Sequence, residues 1–268
     1  MTLAGVPVLQ YDGLGAAPPL DVGARLASHW VTPVRLARQL ALIRELGHRV
    51  VRLYDAWASQ DDETPARAPV VLTFDDGRDS DYEIAFPLLL AAGMRAEFFV
   101  NTATIGQRGY LGWSRVAEML RSGMSFQSHA HDHVALPALP TRQLSHTLRI
   151  SKRMIEDRVG RAVDFLAAPH GLVDRRVVDA AQDAGYQAVC ASRGWPARPG
   201  GTVVNRVVVR RDTTEPEFGA ILAREPRAYV PAIARTFVDR LRYRAVRPRV
   251  EAKPSPWSAY ARDPRSSP

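Results

Sequence analysis

Two adjacent carboxylates, Asp75 and Asp76, end an apolar segment of the chain and are followed by Gly77. In parallel β/α folds, active sites assemble at the carboxyl ends of the strands, and glycine permits the sharp turn that such a position needs. Two neighbouring anions are costly unless a cation or a proton intervenes. A metal ion bound to one of the two carboxylates resolves that conflict. The alternative interpretation is an aspartate pair that caps a helix in an ordinary turn.

A histidine cluster, SHAHDHV, follows a second apolar segment, and three of the seven histidines lie between positions 129 and 133. His129 and His133 are four residues apart, a spacing at which both side chains can bind one ion from a helical turn or a tight loop. His131 has the wrong phase for that face of a helix. Two imidazoles and one carboxylate suit zinc or another first-row divalent ion. The alternative interpretation is a polar surface loop.

Three segments, in this order, make the sequence resemble the polysaccharide deacetylase (NodB-homology) family, of the carbohydrate esterase type, over roughly residues 5–225. They are VVLTFDDGRDSDYEIAFPLLLAAGMRAEFFVNT, SHAHDHVAL and FLAAPHGLVDRRVVDAAQDAGY. The segment GVPVLQYDG near the start looks like the first strand of the family, with Asp12 where a histidine is often found.

The resemblance implies a fold and a division of roles. The implied fold is α/β, a distorted (β/α) barrel of about seven units. Asp76, His129 and His133 are the implied ligands of a divalent metal, with Zn²⁺ first and Co²⁺, Ni²⁺ or Mn²⁺ as alternatives. Asp75 is the implied general base, because a carboxylate beside the ion can take a proton from an acidified water. The backbone N–H of His170 is implied to stabilise the oxyanion together with the metal.

The sequence departs from the family pattern at two places. Ala167 stands two residues before the proline of the third segment, where the family usually carries an arginine that orients the catalytic carboxylate. Arg206 is our candidate substitute, and an exposed strand-end charge is the alternative. No histidine follows His170, although the family often has a late histidine that acts as general acid. His131 and His170 are therefore candidate proton donors for the leaving amine, with water acting through Asp75 as a third option.

Three further residues are candidates for contact with the substrate. Pro169 precedes His170 in the third segment, and Trp113 and Trp195 carry rings that could stack on a sugar face. Packing within the protein is the alternative role for both tryptophans.

Short apolar runs alternate with amphipathic runs that stop at glycine, which predicts parallel β/α units in either a barrel or an open sheet. The predicted strands are Val6–Tyr11, Arg49–Leu53, Val70–Phe74, Ala96–Val100, Met124–Ser128, Asp164–Ala167, Gln187–Cys190 and Val203–Val209. The predicted helices are Val34–Leu46 with Thr32 as cap, Tyr82–Ala92 with Asp81, Arg115–Ser122 with Ser114, Arg142–Val159 with Thr141, and one from Asp174 to near Gly185.

We expect the chain to have three parts, and its charge is concentrated toward the C-terminal end. We expect a barrel over 1–225, a helix over 226–244 and a disordered tail rich in Pro, Arg and Ser over 245–268. The net charge is +8, yet residues 1–192 hold 20 basic and 21 acidic residues, and residues 193–268 hold 16 and 7. The basic end could contact a polyanion weakly. A nucleic-acid partner is not expected, because no nucleic-acid motif is present.

The sequence as a whole predicts a metal-dependent hydrolase that removes N-acetyl groups from amino sugars in an oligosaccharide, polysaccharide or glycolipid precursor. The alternatives are hydrolysis of another non-peptide C–N bond, as in a small amide, and a non-catalytic metal-containing carbohydrate binder. The N-terminus shows no signal-peptide pattern, and no apolar run is long enough to span a bilayer. We therefore expect a cytoplasmic protein of bacterial origin. The single cysteine, Cys190, is expected to be a small buried side chain.

Overall fold

The computed structural model describes residues 3–18, 27–59 and 69–245. Short strands form its centre, and most of them coincide with apolar stretches of the sequence. The strands are β1 (Val8–Tyr11), β2 (Gly13–Leu14), β3 (Trp30–Val31), β4 (Val71–Asp76), β5 (Glu97–Val100), β6 (Ser125–Ser128), β7 (Phe165–Ala167), β8 (Ala188–Ala191), β9 (Val203–Asn205) and β10 (Val207–Val208).

Eight of these strands form one parallel sheet in the order β10-β1-β4-β5-β6-β7-β8-β9, and β2 pairs with β3 separately. The two ends of the sheet are adjacent in the chain, because β9 pairs with β8, β10 pairs with β1, and only Arg206 lies between β9 and β10. The sheet therefore curls into a nearly closed barrel, and the predicted distorted β/α barrel is confirmed.

Helices surround the barrel. They are α1 (Pro33–Glu45), α2 (Leu53–Ala58), α3 (Phe86–Ala92), α4 (Trp113–Arg121), α5 (Thr141–Val159), α6 (Arg175–Asp183), α7 (Glu215–Leu222) and α8 (Pro226–Ala245). A π-helical turn, Asp81–Ala85, leads into α3. None of the described helices is both long and apolar enough to cross a lipid bilayer.

Alternate residues of the strands face two separate apolar cores, as a period of two residues requires. On β4, Leu72 and Phe74 belong to the larger core between the sheet and the helices, whereas Val71 belongs to a smaller core inside the barrel. Phe99 and Phe165 are the largest apolar side chains of the inner core, and both are fully buried. Because both faces of each strand are covered, the strands read as nearly continuous apolar runs.

The helix α2 covers the amino-terminal end of the barrel. Leu53 and Ala56 belong to the inner core. The backbone N–H of Leu53 donates to Oε1 of Glu97, the first residue of β5, over 3.1 Å. Trp57 packs edge-on against Phe165. The opposite, carboxyl-terminal end of the barrel is left for polar side chains.

The helix boundaries agree with the predictions at some caps and differ at others. Thr32 accepts from the N–H of Arg35 and Asp174 accepts from the N–H of Val177, so both predicted caps are confirmed. Asp81 is wrong as a cap, because it lies buried within the π-helical turn. Ser114 and Thr141 are also wrong as caps, because each already lies within the first turn of its helix.

Two strand predictions need correction. Arg49–Leu53 is wrong as a strand, because only Val50 makes an isolated bridge, to Val70, and the helix α2 begins at Leu53. Val203–Val209 is divided into β9 and β10 at Arg206, where the chain passes from one edge of the sheet to the other. The predicted tail beyond Ala245 lies outside the described residues.

Candidate metal centre and active site

The carboxyl ends of β4 and β6 bring the two predicted clusters together. Asp76 is the last residue of β4 and pairs in register with Val100, which pairs in turn with Ser128 at the end of β6. His129 follows directly, and its N–H donates to the carbonyl of Val100 over 2.8 Å. Parallel strands in register thus place residues that are about fifty positions apart at one end of the barrel.

Asp76, His129 and His133 converge on one point. Oδ1 of Asp76 lies 3.4 Å from Nε2 of His129 and 3.3 Å from Nε2 of His133, and one ligand atom of each residue lies within 4.8 Å of the others. Donor atoms at two corners of a tetrahedral site are roughly 3.3–3.6 Å apart when each bond to zinc is about 2.0–2.2 Å. The three side chains therefore fit a divalent metal ion.

Hydrogen bonds outside this triad orient two of its members. Nδ1 of His129 lies 2.9 Å from the carbonyl oxygen of Ala167, which makes Nδ1 the donor and leaves Nε2 as the ring atom on the side of Asp76. Arg78 contacts Oδ2 of Asp76 over 3.1 Å and leaves Oδ1 for the ion. Arg78 also lies over the ring of Trp30. Such partners fix ligand orientation before an ion binds.

The backbone adopts an uncommon conformation at three positions beside the triad. Asp76, Ala130 and His170 have φ values of 78°, 64° and 60°, in the left-handed region that non-glycine residues rarely enter. At Asp76 this conformation ends the strand and changes the direction of the side chain relative to Asp75. Each such residue costs about 1–3 kcal/mol and persists where the surrounding structure over-determines it, as active sites do.

Asp75 has a partner of its own. Its two oxygens accept from Nη1 and Nη2 of Arg206, each over 2.7 Å, and Nη1 also donates to Oγ1 of Thr73. Arg206 is fully buried, which excludes the alternative of an exposed strand-end charge. Burial acts to lower the pKa of Arg206, but the charge and hydrogen bonds of Asp75 outweigh it, and the pKa is raised. The guanidinium therefore stays protonated and holds the carboxylate at two points.

The electrostatics of the metal-free triad prepare it for an ion. Burial acts to raise the pKa of Asp76, but the hydrogen bond of His129 and the charges of both histidines and Arg78 lower it to about 2. Burial lowers the pKa of His133, so its ring is neutral at pH 7. For His129, burial acts to lower the pKa, but the charge of Asp75 and the hydrogen bond and charge of Asp76 outweigh it, so the pKa is raised and an ion has to compete with a proton for this ring. A neutral His133 and an ionised Asp76 are the forms that bind metal.

The two candidate proton donors lie in different surroundings. The ring of His170 packs edge-on against that of His133, with 4.7 Å between the ring centroids. His131 is buried, and its Nδ1 lies 2.8 Å from Oγ1 of Thr102. Burial lowers the pKa of His131, and the nearest charges that act on it are those of Asp132 and His146. The structure thus brings the ring of His170 into contact with the triad.

The sequence analysis missed a polar cluster made of Asp12, His29 and Arg210. Nδ1 of His29 contacts Asp12, and Nη1 of Arg210 lies 2.7 Å from Nε2 of His29. Burial acts to raise the pKa of Asp12, but His29, Gln10 and Arg206 hold it well below its usual range. Asp12 is an anion whose charge reaches His133. In the sequence, Asp12 was noted only as the residue that stands where a histidine is often found, and its partners could not be predicted because they lie further along the chain.

The three candidate substrate contacts differ in exposure. Pro169 is buried in a short 3₁₀ turn, Pro169–Gly171, that positions His170. Trp113 begins α4, packs against the larger core and lies under the guanidinium of Arg158. Trp195 is 43% exposed in the loop after β8. Stacking on a sugar stays a prediction for both tryptophans.

Sequence comparison finds a family match over part of the chain. Residues 62–189 match the family model described as Polysaccharide deacetylase. YxkH of Bacillus subtilis (strain 168), a polysaccharide deacetylase by name, is 30% identical over 163 residues, which cover 60% of this chain and 58% of YxkH. The chain thus spans less than two thirds of the length of that curated relative.

Structure comparison identifies the fold. PplD, a Streptococcus pyogenes deacetylase solved in complex with acetate, matches with a TM-score of 0.73 at 23% identity, over 84% of this chain and 100% of that chain. IcaB of Ammonifex degensii matches with a TM-score of 0.71 at 24% identity, over 83% of this chain and 97% of that chain. The predicted barrel and the predicted family resemblance are both confirmed.

Proposed function

We propose that this chain, a polysaccharide deacetylase by family over residues 62–189, is a metal-dependent hydrolase that removes N-acetyl groups from amino sugars in a glycan. The observation that carries the proposal is the convergence of one carboxylate and two imidazoles beside a second carboxylate that a buried arginine holds. Family membership supports deacetylation of a polysaccharide. Metal dependence and the sugar itself are what the proposal adds.

Asp76, His129 and His133 would hold the ion, with Zn²⁺ as the first expectation and Co²⁺, Ni²⁺ or Mn²⁺ as alternatives. A bound divalent ion supplies a Lewis acid that polarises the amide carbonyl and acidifies water. The ion also removes the cost of placing Asp75 next to a second carboxylate. Three protein ligands leave coordination positions open, as in catalytic zinc sites.

Asp75 acts as the general base. It takes a proton from the water whose oxygen attacks the carbonyl carbon of the acetamide. Arg206 orients the carboxylate through two parallel hydrogen bonds, as bidentate arginine does. In this role Arg206 is a positioning residue, because it acts through Asp75.

The turn Pro169–Gly171 contributes two groups of His170 to the reaction, its backbone N–H and its ring. The backbone N–H of His170 stabilises the negative charge that develops on the carbonyl oxygen. The C–N bond then breaks, and the amine leaves with a proton while acetate remains. Contact with His133 places the ring of His170 near the reacting centre and makes it the first candidate for that proton donor. His131 is the weaker candidate, because its Nδ1 is already engaged by Thr102.

The test combines metal content with acetate release from a panel of N-acetylated glycans, including N-acetylglucosamine oligomers. We expect the purified protein to carry about one divalent ion per chain and to release acetate. Asp75→Asn should lose turnover and keep the ion, whereas His129→Ala should lose the ion. His48→Ala, remote from both clusters, is the matched histidine control and should retain both properties.

Two outcomes would contradict the proposal. Bound metal with no acetate released from any glycan would favour a non-catalytic carbohydrate binder. Hydrolysis of small amides or formamides, with no reaction on the N-acetylglucosamine oligomers, would favour an enzyme for a different C–N bond.

A further inference from the structure

The first half of α8 packs against the body of the protein through one face. Tyr229 is fully buried, and its hydroxyl donates to the carbonyl of Ile221 over 2.7 Å. Ala228 is 6% exposed. Ala232 and Ile233 lie against Gly194, so closely that an added Cβ there would meet their backbone atoms at 2.9 Å. These four residues define the inner face of α8.

A second apolar face of α8 has no cover among the described residues. Val230, Phe237, Val238 and Leu241 are 62%, 61%, 42% and 48% exposed. Their spacing of 7, 8 and 11 residues from Val230 puts them on one stripe, because each residue of an α-helix advances by about 100°. The centre of this outer stripe lies roughly 150° around the helix from the inner face. Packing against the barrel therefore cannot cover it.

The sequence of α8 is strongly basic. Between positions 226 and 245 it has five arginines and one aspartate, a net charge of +4. From residue 226 to the end, the chain has 10 basic and 3 acidic residues. An apolar stripe on a basic helix is the pattern of a helix that lies in the interface of an anionic membrane.

We propose that α8 binds an anionic lipid surface through the outer stripe, with its axis in the plane of the membrane. The stripe faces away from the barrel, so the body of the protein does not obstruct a flat surface. Apolar side chains enter the region between headgroups and acyl chains, and the net positive charge of the helix is attracted to the lipid phosphates. This inference goes beyond the proposed function, because it concerns where the enzyme works and not its chemistry.

The test is co-sedimentation of the full chain with vesicles of two compositions. We expect binding to vesicles of phosphatidylcholine with about 30% phosphatidylglycerol, weaker binding to pure phosphatidylcholine, and a decrease as salt rises, since added ions screen the attraction. The variant Phe237→Asp/Leu241→Asp should lower the partition coefficient at least roughly tenfold, because it removes two large apolar side chains and adds two anions.

The matched control is Val34→Asp, a substitution at another strongly exposed apolar residue, 79% exposed on α1. It should bind vesicles nearly as well as the unaltered chain. Acetate release from a soluble glycan should be unchanged in all variants, which separates this proposal from the proposed function. Circular dichroism confirms that each variant is folded.

Three results would overturn the proposal. The first is no binding of the unaltered chain to anionic vesicles. The second is binding that Phe237→Asp/Leu241→Asp leaves intact. The third is a dimer, detected by light scattering, that the same double substitution converts to monomer without any vesicle binding, which would assign the outer stripe to a second copy of the chain.

Discussion

Asp75 and Asp76 are adjacent in the chain, yet the structure gives each a different set of cations. Arg206 holds Asp75 from inside the barrel, whereas His129, His133 and Arg78 surround Asp76. The left-handed backbone at Asp76 allows this separation, because it breaks the regular course of β4. This separation suits the proposed function, in which Asp75 takes a proton and Asp76 binds an ion.

Replacing Arg206 tests whether turnover depends on the two-point contact between its guanidinium and Asp75. Arg206→Lys keeps the charge but loses the planar fork that binds both oxygens of Asp75. We expect kcat to fall about ten- to a hundredfold, the range seen when a supporting partner is lost, with KM and metal content unchanged. Arg206→Met, which leaves a buried carboxylate without its partner, should destabilise the fold by about 3–5 kcal/mol.

The control for Arg206→Lys is Arg198→Lys, at an exposed position in the loop after β8. Steady-state acetate release and elemental analysis provide the measurements. A loss of bound metal in Arg206→Lys, or an unchanged kcat, would contradict a positioning role exerted through Asp75.

A second substitution pair separates the two candidate proton donors. His170→Asn removes the imidazole and suits the left-handed backbone, which asparagine tolerates better than most residues, so the backbone N–H stays in place. We expect kcat to fall about a hundredfold, as for loss of a general acid. His131→Asn should leave kcat within a few-fold and lower the melting temperature, because it breaks a buried contact with Thr102. The opposite pattern in acetate-release assays would move the role to His131.

At the level of side chains, the sequence predicted the triad because its members sit in two short motifs. Spacing and the preceding strands predicted His129, His133 and one of two adjacent carboxylates, and the resemblance to the family selected Asp76. The cluster of Asp12, His29 and Arg210 could not be predicted, because its members are 17 and 181 positions apart and join only through the fold. Arg206 was a candidate substitute for a missing arginine, and only the barrel closure explains why it reaches Asp75.

At the level of elements, apolar patterning located most strands and failed where tertiary contacts decided the structure. The run Arg49–Leu53 has the composition of a strand, but α2 begins at its end and plugs the barrel instead. Burial of Leu53 and Ala56 in the inner core favours a helix at this place over the strand that the local composition predicts. Cap predictions failed at Asp81 and Ser114, because their helices begin at other residues.

The contact between α2 and β5 yields a prediction of pH-dependent stability. Glu97 is 3% exposed, and burial raises its pKa above the ordinary value of 4.5. The folded state therefore binds this proton more tightly than the unfolded state, so the free energy of unfolding decreases as pH rises above that value. Glu97→Gln keeps an acceptor for the N–H of Leu53 and removes the charge. It should be more stable than the unaltered protein at pH 8, by on the order of 1 kcal/mol.

Urea unfolding at pH 4 and pH 8 measures this difference. The advantage of Glu97→Gln should shrink at pH 4, where the native carboxyl is protonated. Glu83→Gln, at a side chain that is 56% exposed, is the control and should show little pH dependence. If Glu97→Gln were less stable than the unaltered protein at pH 8, and by a smaller margin at pH 4, the prediction would be contradicted, because the carboxylate form would then support α2.

At the scale of the whole molecule, closure of the barrel and assembly of the site are one event. Arg206 joins β9 to β10 at the seam where the two edges of the sheet approach. Its guanidinium donates to Asp75 on β4, and its backbone carbonyl accepts from the N–H of Gly194 over 2.9 Å. Opening the seam would therefore release Asp75 as well, so the site should persist only while the barrel is closed.

Chemical labelling of Cys190 can measure how often the barrel opens. Cys190 is fully buried on β8, and burial raises the pKa of its thiol to about 12. A thiol reagent should therefore modify it only from opened molecules. A metal ion that binds only the closed protein lowers the open population by a factor of about 1 + [metal]/Kd. At a hundredfold excess of metal over Kd, labelling should slow about a hundredfold, provided that opened molecules close again faster than the reagent modifies them. His129→Ala should label at a rate that metal does not change, whereas rapid labelling of the unaltered native protein would show that β8 opens without the rest of the barrel.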